Sequence, residues 1–305
     1  MIITQKKINT AVIKLLACSL TCLACSTAFA EKKQPEVELT HWWNQPGELQ
    51  ALDVIKQAVE KRGGKFVETR IGSWDKLRSS IISRISLGYP PAITQWLADE
   101  NIFELSNVNA IHYPPTKLAG VPIKDILLKE VYEEVSKDGK LVLGIHIQNA
   151  ALFNASIYDE LKLPLPTSWQ QVLEQAPIIQ EAGYVPVAFS KELWQFHIVF
   201  NAILFEKLGV ENYQRMYEKG KSIKPWRKAL TESLQVFMDL KEYADPEYKK
   251  RSWDMSAKML GDSQAAMHVM GDFAKGELTA RGLVAGKDFH CSLTPGADGN
   301  VADPV

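Results

Sequence analysis

The chain has 305 residues, of which 46% are hydrophobic and 23% are charged, a composition ordinary for a globular protein with room for two domains. Its 35 basic and 36 acidic residues give a formal net charge of -1, so no excess of positive charge indicates a nucleic acid or an anionic membrane as partner. Eight tryptophans are present, and their positions matter because tryptophan is costly to expose and often lines ligand sites.

The first thirty residues have the pattern of a secretory signal peptide. Three lysines and no acidic residue accompany an apolar stretch over 15–23, and Ala28-Phe29-Ala30 supplies the small-residue pattern that signal peptidase reads. We expect cleavage between Ala30 and Glu31 and a periplasmic product, with lipid anchoring at a leader cysteine as the less favoured alternative. Three of the four cysteines lie in this segment, so only Cys291 remains after cleavage and no internal disulfide is expected.

Strands and amphipathic helices alternate in the part of the chain that follows. The hydrophobic pattern predicts strands over 37–42, 65–69 and 92–96, and helices over 48–62 and around 77–85. This alternation is typical of an α/β domain with a largely parallel sheet. Further along, Lys137-Asp138-Gly139-Lys140 predicts a tight turn, followed by a strand that ends near His146.

The pattern becomes mostly helical beyond Asn154. Thr167 and Gln170 have the spacing of a capping box, which predicts that a helix starts there. Breaks in the helical pattern are predicted at Pro177, 183–186, Gly209 and Pro225. We therefore expect a second domain that is rich in helix.

Several motifs occur in an order that resembles a known family. They are His41-Trp42-Trp43 with Gly47-Glu48, Asp138-Gly139-Lys140 with His146, Pro166-Thr167-Ser168-Trp169, Trp194-Gln195, Trp253-Asp254, and the segment Met270–Glu277. In this order the motifs resemble those of the family 1 extracellular solute-binding proteins of sugar ABC transporters. Within that family, the chain is most similar to the glucose- and mannose-binding branch.

The resemblance implies an α/β fold of two domains, the maltose-binding-protein-like (type II) periplasmic binding protein fold, with a ligand cleft between the domains. The expected divisions are a leader over 1–30, an N-terminal α/β lobe over 31–147, a helix-rich C-terminal α/β lobe over 148–302, and the start of a second hinge crossing over 303–305. Members usually continue beyond this point, so the resemblance also implies that a C-terminal segment completing the first sheet is missing.

A sugar site needs aromatic planes for the apolar faces of the ring and fixed polar groups for its hydroxyls. These requirements and the motifs point to eight ligand-binding residues, namely Trp42, Trp43, Glu48, His146, Trp194, Gln195, Trp253 and Asp272. Structural alternatives stay open: core packing for the tryptophans, helix capping for the two carboxylates, and a structural role for the histidine. Trp74, Trp169 and Trp226 are expected in packing or surface positions.

The function that the resemblance implies is capture of a mono- or small oligosaccharide in the periplasm and its delivery to the permease subunits of an ABC importer. We expect a monomer that is not an enzyme, with no cofactor, metal or nucleic acid, and with ATP hydrolysed by a separate subunit. Closure of the two lobes on the ligand would complete the capture.

Two alternatives to sugar capture remain open. The first is an exported glycoside hydrolase that uses Glu48 and Asp272 as its pair of carboxylates. The second is a binding protein of the same architecture for a solute other than a sugar. The sugar itself is not specified, because the segments 71–74 and 95–97 and Ile147 lack hydrogen-bond donors that relatives in the glucose branch carry.

Overall fold

Two larger sheets organise the part of the chain that the computed structural model describes, which comprises residues 34–97, 105, 116–127, 129–137, 140–141, 149–217 and 221–296. The predicted leader with its cleavage point after Ala30, the residue His146 and the predicted crossing at 303–305 lie outside the described residues. The predicted boundary between the lobes at 147–148 therefore stays a prediction.

Within the described residues, the first sheet contains three parallel strands in the order β2-β1-β3. They are β1 (Glu36–His41), β2 (Lys65–Arg70) and β3 (Ile93–Thr94), connected by helices α1 (Pro46–Lys61) and α2 (Trp74–Ser86). The parallel alternation predicted from the sequence is confirmed, although β3 is shorter than predicted. Leu77, Ile81 and Trp96 form the buried cluster beneath this sheet.

Local sequence explains the limits of α1. Pro46 occupies its first position, where a missing N–H costs nothing, and Glu48 accepts the backbone N–H of Gln45. Leu52 is the buried residue of its inner face. The helix stops before Gly63, whose φ of 79° is a left-handed conformation that glycine adopts without strain.

Short hairpins and turns follow the first sheet. These elements are the antiparallel pair β4 (Lys117–Leu118) and β5 (Val121–Pro122), a 3₁₀ turn (Ile123–Asp125), helix α3 (Lys129–Glu134), and the antiparallel pair β6 (Ser136–Lys137) and β7 (Lys140–Leu141). The last pair flanks the turn predicted at 137–140, and the two central residues of that turn lie outside the described residues.

The second sheet has four strands in the order β11-β8-β10-β9. They are β8 (Asn149–Asn154), β9 (Val185–Ala188), β10 (Ala265–Gly271) and β11 (Phe289–Ser292). β10 pairs antiparallel with β8 and parallel with β9, and all seven of its residues are buried. A strand that is buried along its whole length lies between two layers of helix.

Six helices of the described part of the chain surround the second sheet. They are α4 (Ala155–Leu161), α5 (Trp169–Glu181), α6 (Leu193–Tyr217), α7 (Arg227–Lys241), α8 (Trp253–Gly261) and α9 (Phe273–Ala280), with 3₁₀ turns at Lys224–Trp226 and Tyr248–Lys250. The largest cluster of buried residues includes Phe153, Trp169, Ile203, Leu240 and Met267. Within the residues that the structure describes, no helix is both long enough and apolar enough to span a bilayer.

The start of α5 corrects one local prediction. Its cap is Ser168, whose hydroxyl accepts the N–H of Gln171, and the prediction of Thr167 as the cap was wrong. The side chain that reaches back is that of Gln171, which binds the N–H and hydroxyl of Thr167, and not that of Gln170. The helix begins one residue later than predicted because two adjacent hydroxyl residues offer equivalent caps and only one is used.

Two predicted breaks have different outcomes. The helix α5 continues through Pro177, so the break predicted there was wrong. A break does occur at Gly209, where φ of 68° and ψ of 168° interrupt the helical backbone of α6. Burial of Val172, Ala176 and Ile179 on one face of α5 favours a continuous helix in spite of the hydrogen bond that the proline removes.

Candidate functional site

Trp42 lies just beyond the carboxyl end of β1 and packs into the cluster of the first sheet. Its ring meets Trp74 edge-on at 5.8 Å between centroids, and Trp74 meets Trp96 in the same way at 4.9 Å. Trp96 is only 6% exposed. Trp42 is half-buried in this row of rings, so packing accounts for much of its surface, as it does for that of Trp74.

Trp43 has different neighbours from Trp42. Its ring lies 6.1 Å from that of His41, and its backbone N–H donates to His41 Nδ1 at 3.1 Å. His41 is fully buried, with Nε2 placed 3.4 Å from Oε1 of Glu68. Burial lowers the pKa of His41, and the carboxylate of Glu68 opposes this shift. The lowered pKa favours the neutral imidazole, in which Nδ1 can accept a hydrogen bond. His41 therefore positions Trp43, a role that the sequence did not indicate.

Glu48 lies in the first turn of α1, where its Oε2 accepts the N–H groups of Asn44 at 2.9 Å and Gln45 at 3.0 Å. The capping alternative is therefore realised for one carboxylate oxygen. Burial raises the pKa of Glu48, the two backbone hydrogen bonds oppose this, and the nearby carboxylates of Glu277 and Asp254 add to the increase. The first turn of α1 thus faces acidic side chains from the second half of the chain.

An aromatic cluster lies at the other side of the candidate site, around Phe273 at the start of α9. The ring of Phe273 meets Trp253 at 5.0 Å with an interplanar angle of 84°, and Trp194 at 6.2 Å with an angle of 58°. Trp194 is 41% exposed, so this part of the cluster is accessible to solvent. The two tryptophans that the sequence singled out in this region are thus brought together.

The sequence analysis missed Phe273, which joins these two tryptophans. The preceding glycine is a signal that could have found it, because a Cβ on Gly271 would lie 2.3 Å from an atom of the Phe273 ring. A glycine before an aromatic residue at the end of a buried strand therefore indicates a ring that folds back over the backbone.

Asp272 stands between β10 and α9 with its side chain exposed. It occupies the position before the helix, yet its carboxylate makes no capping hydrogen bond, so the capping alternative is not realised. An exposed carboxylate beside an aromatic cluster, at the carboxyl end of a central strand, has the chemistry to accept hydrogen bonds from sugar hydroxyls.

The amide of Gln195 is bound by the protein itself. The side chain is fully buried, its Oε1 accepts the N–H of Ser190 at 2.6 Å, and its Nε2 donates to the carbonyls of Ala188 at 3.2 Å and Val269 at 3.3 Å. These bonds tie the end of β9 to β10 and fix the first turn of α6, which carries Trp194. The geometry gives Gln195 a supporting role, and its contact with a ligand stays a prediction.

The two sides of the site meet where α1 approaches α9. The N–H of Gly47 donates to Oε2 of Glu277 at 3.1 Å, although the two residues are 230 positions apart. This contact sets the turn that carries Glu48 against the helix that begins directly after Asp272. Among the described residues, no group of acidic, histidine and cysteine side chains is placed to hold a metal ion.

Residues 43–302 match the family model of the bacterial extracellular solute-binding proteins. The chain belongs to this family. A relative of this solute-binding protein, a probable sugar-binding periplasmic protein of Rhizobium meliloti, is 26% identical over 283 residues, which cover 90% of the chain and 67% of the relative.

Solved structures show the same fold for this solute-binding protein. One belongs to a study of xylan utilization by the thermophilic bacterium Caldanaerobius polysaccharolyticus, with a TM-score of 0.69, 17% identity, and coverage of 87% of this chain and 69% of that one. Another is the bacterial solute receptor AcbH, described as exclusive for β-D-galactopyranose, with a TM-score of 0.66, 16% identity, and coverage of 86% and 66%. The maltose-binding-protein-like α/β fold predicted from the sequence is confirmed.

Family membership also excludes one of the two alternatives to sugar capture. The family consists of solute-binding proteins and not of enzymes, so the prediction that this chain is not an enzyme is confirmed and the glycoside hydrolase alternative is set aside. Assignment to the glucose- and mannose-binding branch stays a prediction.

Proposed function

We propose that this chain is a periplasmic receptor that captures a mono- or small oligosaccharide between its two lobes and delivers it to an ABC importer. The observation that carries the proposal is the exposed carboxylate of Asp272, which makes no capping hydrogen bond to α9. It lies beside the aromatic cluster of Phe273, Trp253 and Trp194. Family membership and the name of the Rhizobium meliloti relative support a sugar as the solute.

The chemistry of the site suits a pyranose. Trp194 offers an open aromatic face for the apolar side of the ring, and Asp272 offers two oxygens that can each accept a hydroxyl hydrogen bond. Trp43 would contribute a second aromatic surface from the end of β1. Strong ground-state complementarity of this kind suits capture and release, because no transition state has to be favoured over the bound sugar.

The remaining predicted ligand contacts have different roles in this proposal. Glu48 uses Oε2 for capping, so we assign its other oxygen to the ligand. Trp42 and Gln195 act as supports, since the first packs on Trp74 and the second is bound by backbone groups. His146 is retained as a proposed contact near the hinge.

The cellular setting is part of the same proposal. The leader pattern over 1–30, with cleavage between Ala30 and Glu31, supports export to the periplasm, and the periplasmic name of the relative agrees with it. The receptor would act as a monomer and meet the permease subunits in the inner membrane, while a separate subunit hydrolyses ATP. The lobes would extend over 31–147 and 148–302.

A matched pair of variants tests the site. Asp272→Asn should weaken binding of the sugar that the parent binds by tenfold or more, about 1.4 kcal/mol, because a charged acceptor is replaced by a neutral one. Asp53→Asn is the control, since Asp53 is exposed on α1 and its side chain binds Gln57. Calorimetric titration of both proteins measures the difference. Equal affinity in the Asp272→Asn variant and the parent would show that the site is misplaced.

A further inference from the structure

We infer that Glu277 is a positioning residue, which holds the first turn of α1 against α9 and thereby sets the spacing between the two sides of the candidate site. Glu277 does not lie among the predicted ligand contacts. The hydrogen bond between Glu277 and Gly47 does not depend on the proposed function. Only its effect on sugar affinity rests on that function.

The carboxylate of Glu277 is fully buried and fully engaged. Its Oε2 accepts the N–H of Gly47 at 3.1 Å, and its Oε1 lies 3.0 Å from Nε and 2.8 Å from Nη2 of Arg281, the residue directly after α9. A buried charge persists only when it is paired and hydrogen-bonded, so both partners are needed to keep it in place. One partner directly follows the helix of Glu277, and the other belongs to α1, which packs on the first sheet.

The approach of the two helices is close enough to require a glycine in α1. A Cβ on Gly47 would lie 2.6 Å from the carbonyl carbon of Gly276 and 2.7 Å from the backbone nitrogen of Glu277. Both of these are backbone atoms and cannot rotate away. The helices therefore meet backbone to backbone at this point, and any side chain at position 47 would push them apart.

The arrangement uses the polarity of α1. The N–H of Gly47 is one of the first donors of a 16-residue helix, where no intrahelical acceptor exists and the helix dipole favours a negative charge. Glu277 supplies that charge from α9. Because Glu48 is the next residue in α1, the same bond fixes where the Glu48 carboxylate stands relative to the helix that follows Asp272.

A pair of facing glycines gives a matched test. Gly47→Ala should separate the helices because its Cβ has no room, whereas Gly276→Ala should not, because open space lies around its Cβ position. Spin labels on genetically encoded ketone side chains, placed at the exposed positions of Lys56 in α1 and Thr279 in α9, report the helix spacing by pulsed EPR in the full chain without sugar.

We expect the distribution of distances between the two labels to be longer and broader in Gly47→Ala and in Glu277→Ala. In Gly276→Ala we expect the parental distribution. The double variant Gly47→Ala/Glu277→Ala should move little beyond either single variant, since both remove one shared contact. Glu277→Gln should lie nearer the parent than Glu277→Ala, because the glutamine oxygen can still accept the Gly47 N–H. Glu277→Met has a similar volume and no acceptor oxygen, so a parental distribution in that variant would show that Glu277 merely fills space.

Two outcomes separate this inference from the proposed function. An unchanged distance distribution in the folded Gly47→Ala protein would overturn the inference, whether or not the parent binds sugar. A shifted distribution in a protein whose parent binds no tested sugar would support the inference and count against the proposed function. Where the inference and the proposed function are both correct, sugar affinity should fall in Gly47→Ala and stay at the parental value in Gly276→Ala.

Discussion

The two carboxylates predicted for the site, Glu48 and Asp272, occupy different positions at the start of their helices. A capping residue needs an extended backbone so that its side chain can turn back onto the helix. Asp272 has a helical backbone, with φ of -58° and ψ of -18°, and its side chain makes no capping bond. Glu48 binds two N–H groups of the turn before it. The sequence predicted both as candidates, and the structure distinguishes them because Glu48 reaches back from the third helical position, whereas Asp272 precedes its helix without capping it.

His268 is a buried histidine that links pH to stability. It lies in the fully buried strand β10, where its Nδ1 lies 3.1 Å from the carbonyl of Ala188 and its Nε2 has no partner among the described residues. Burial lowers the pKa of His268 to about 4, and the hydrogen bond to Ala188 opposes this shift. The folded protein therefore holds this imidazole neutral at pH values where the unfolded chain protonates it.

A pH series of urea unfolding tests this link. Because the folded pKa lies below the unfolded value of about 6.5, the stability that His268 contributes is complete above that pH and is lost as the pH falls toward about 4. Between pH 7.5 and pH 5, His268 should account for a loss of roughly 2 kcal/mol in the free energy of unfolding. His268→Asn, which keeps a donor near Ala188, should flatten the profile by this amount.

The control for this series is His197→Asn, a substitution at an exposed histidine of α6. The slope of stability against pH should be shallower in the His268→Asn protein than in the His197→Asn protein, because only the first loses a buried imidazole. A parental slope in the His268→Asn protein would contradict the burial account of this histidine.

At the scale of elements, α5 shows where a local rule gives way to packing. A proline inside a helix removes one hydrogen bond and crowds the preceding turn, which is why the sequence predicted a break at Pro177. The helix continues because its buried face, with Val172, Ala176 and Ile179, packs into the largest hydrophobic cluster. The cost of the proline remains in the folded protein.

That cost can be measured by substitution. Pro177→Ala should raise the free energy of unfolding by about 1–3 kcal/mol, because alanine supplies the missing N–H to the turn before it and has a far better helix propensity. Gln180→Ala, at an exposed position of the same helix, should change stability by no more than about 0.5 kcal/mol. Thermal or urea unfolding of both variants provides the comparison, and an unstabilised Pro177→Ala protein would show that the ring itself packs favourably.

Helices and strands with strong local sequence patterns could be predicted from the sequence. The pairing of strands that lie far apart in the chain could be predicted less well. The strand at 37–42 and the helix at 48–62 match β1 and α1 within two residues at each end, because periodicity and the Pro-Gly turn lie in the local sequence. The antiparallel pairing of β8 with β10 joins strands more than 100 residues apart, and no local pattern specifies it. The position of His41 beneath Trp43 depends on such tertiary contacts.

At the scale of the whole molecule, the ordered motifs predicted the architecture, and the structure supplied the contacts between its parts. The α/β fold and the family followed from the order of the motifs between Trp43 and Glu277. The bond between Gly47 and Glu277 did not, since it depends on how two sheets and their helices are placed relative to each other. The same holds for the joining of Trp194 and Trp253 through Phe273.

Calorimetric titration of the folded, leader-processed protein with glucose, mannose, galactose and a set of disaccharides tests whether it captures a sugar. We expect saturable binding of at least one of these sugars at a single site, with the sugar recovered intact afterwards because the family binds solutes without transforming them. A protein that unfolds cooperatively, and so is folded at the start, but takes up none of these sugars would contradict the claim and favour a different solute.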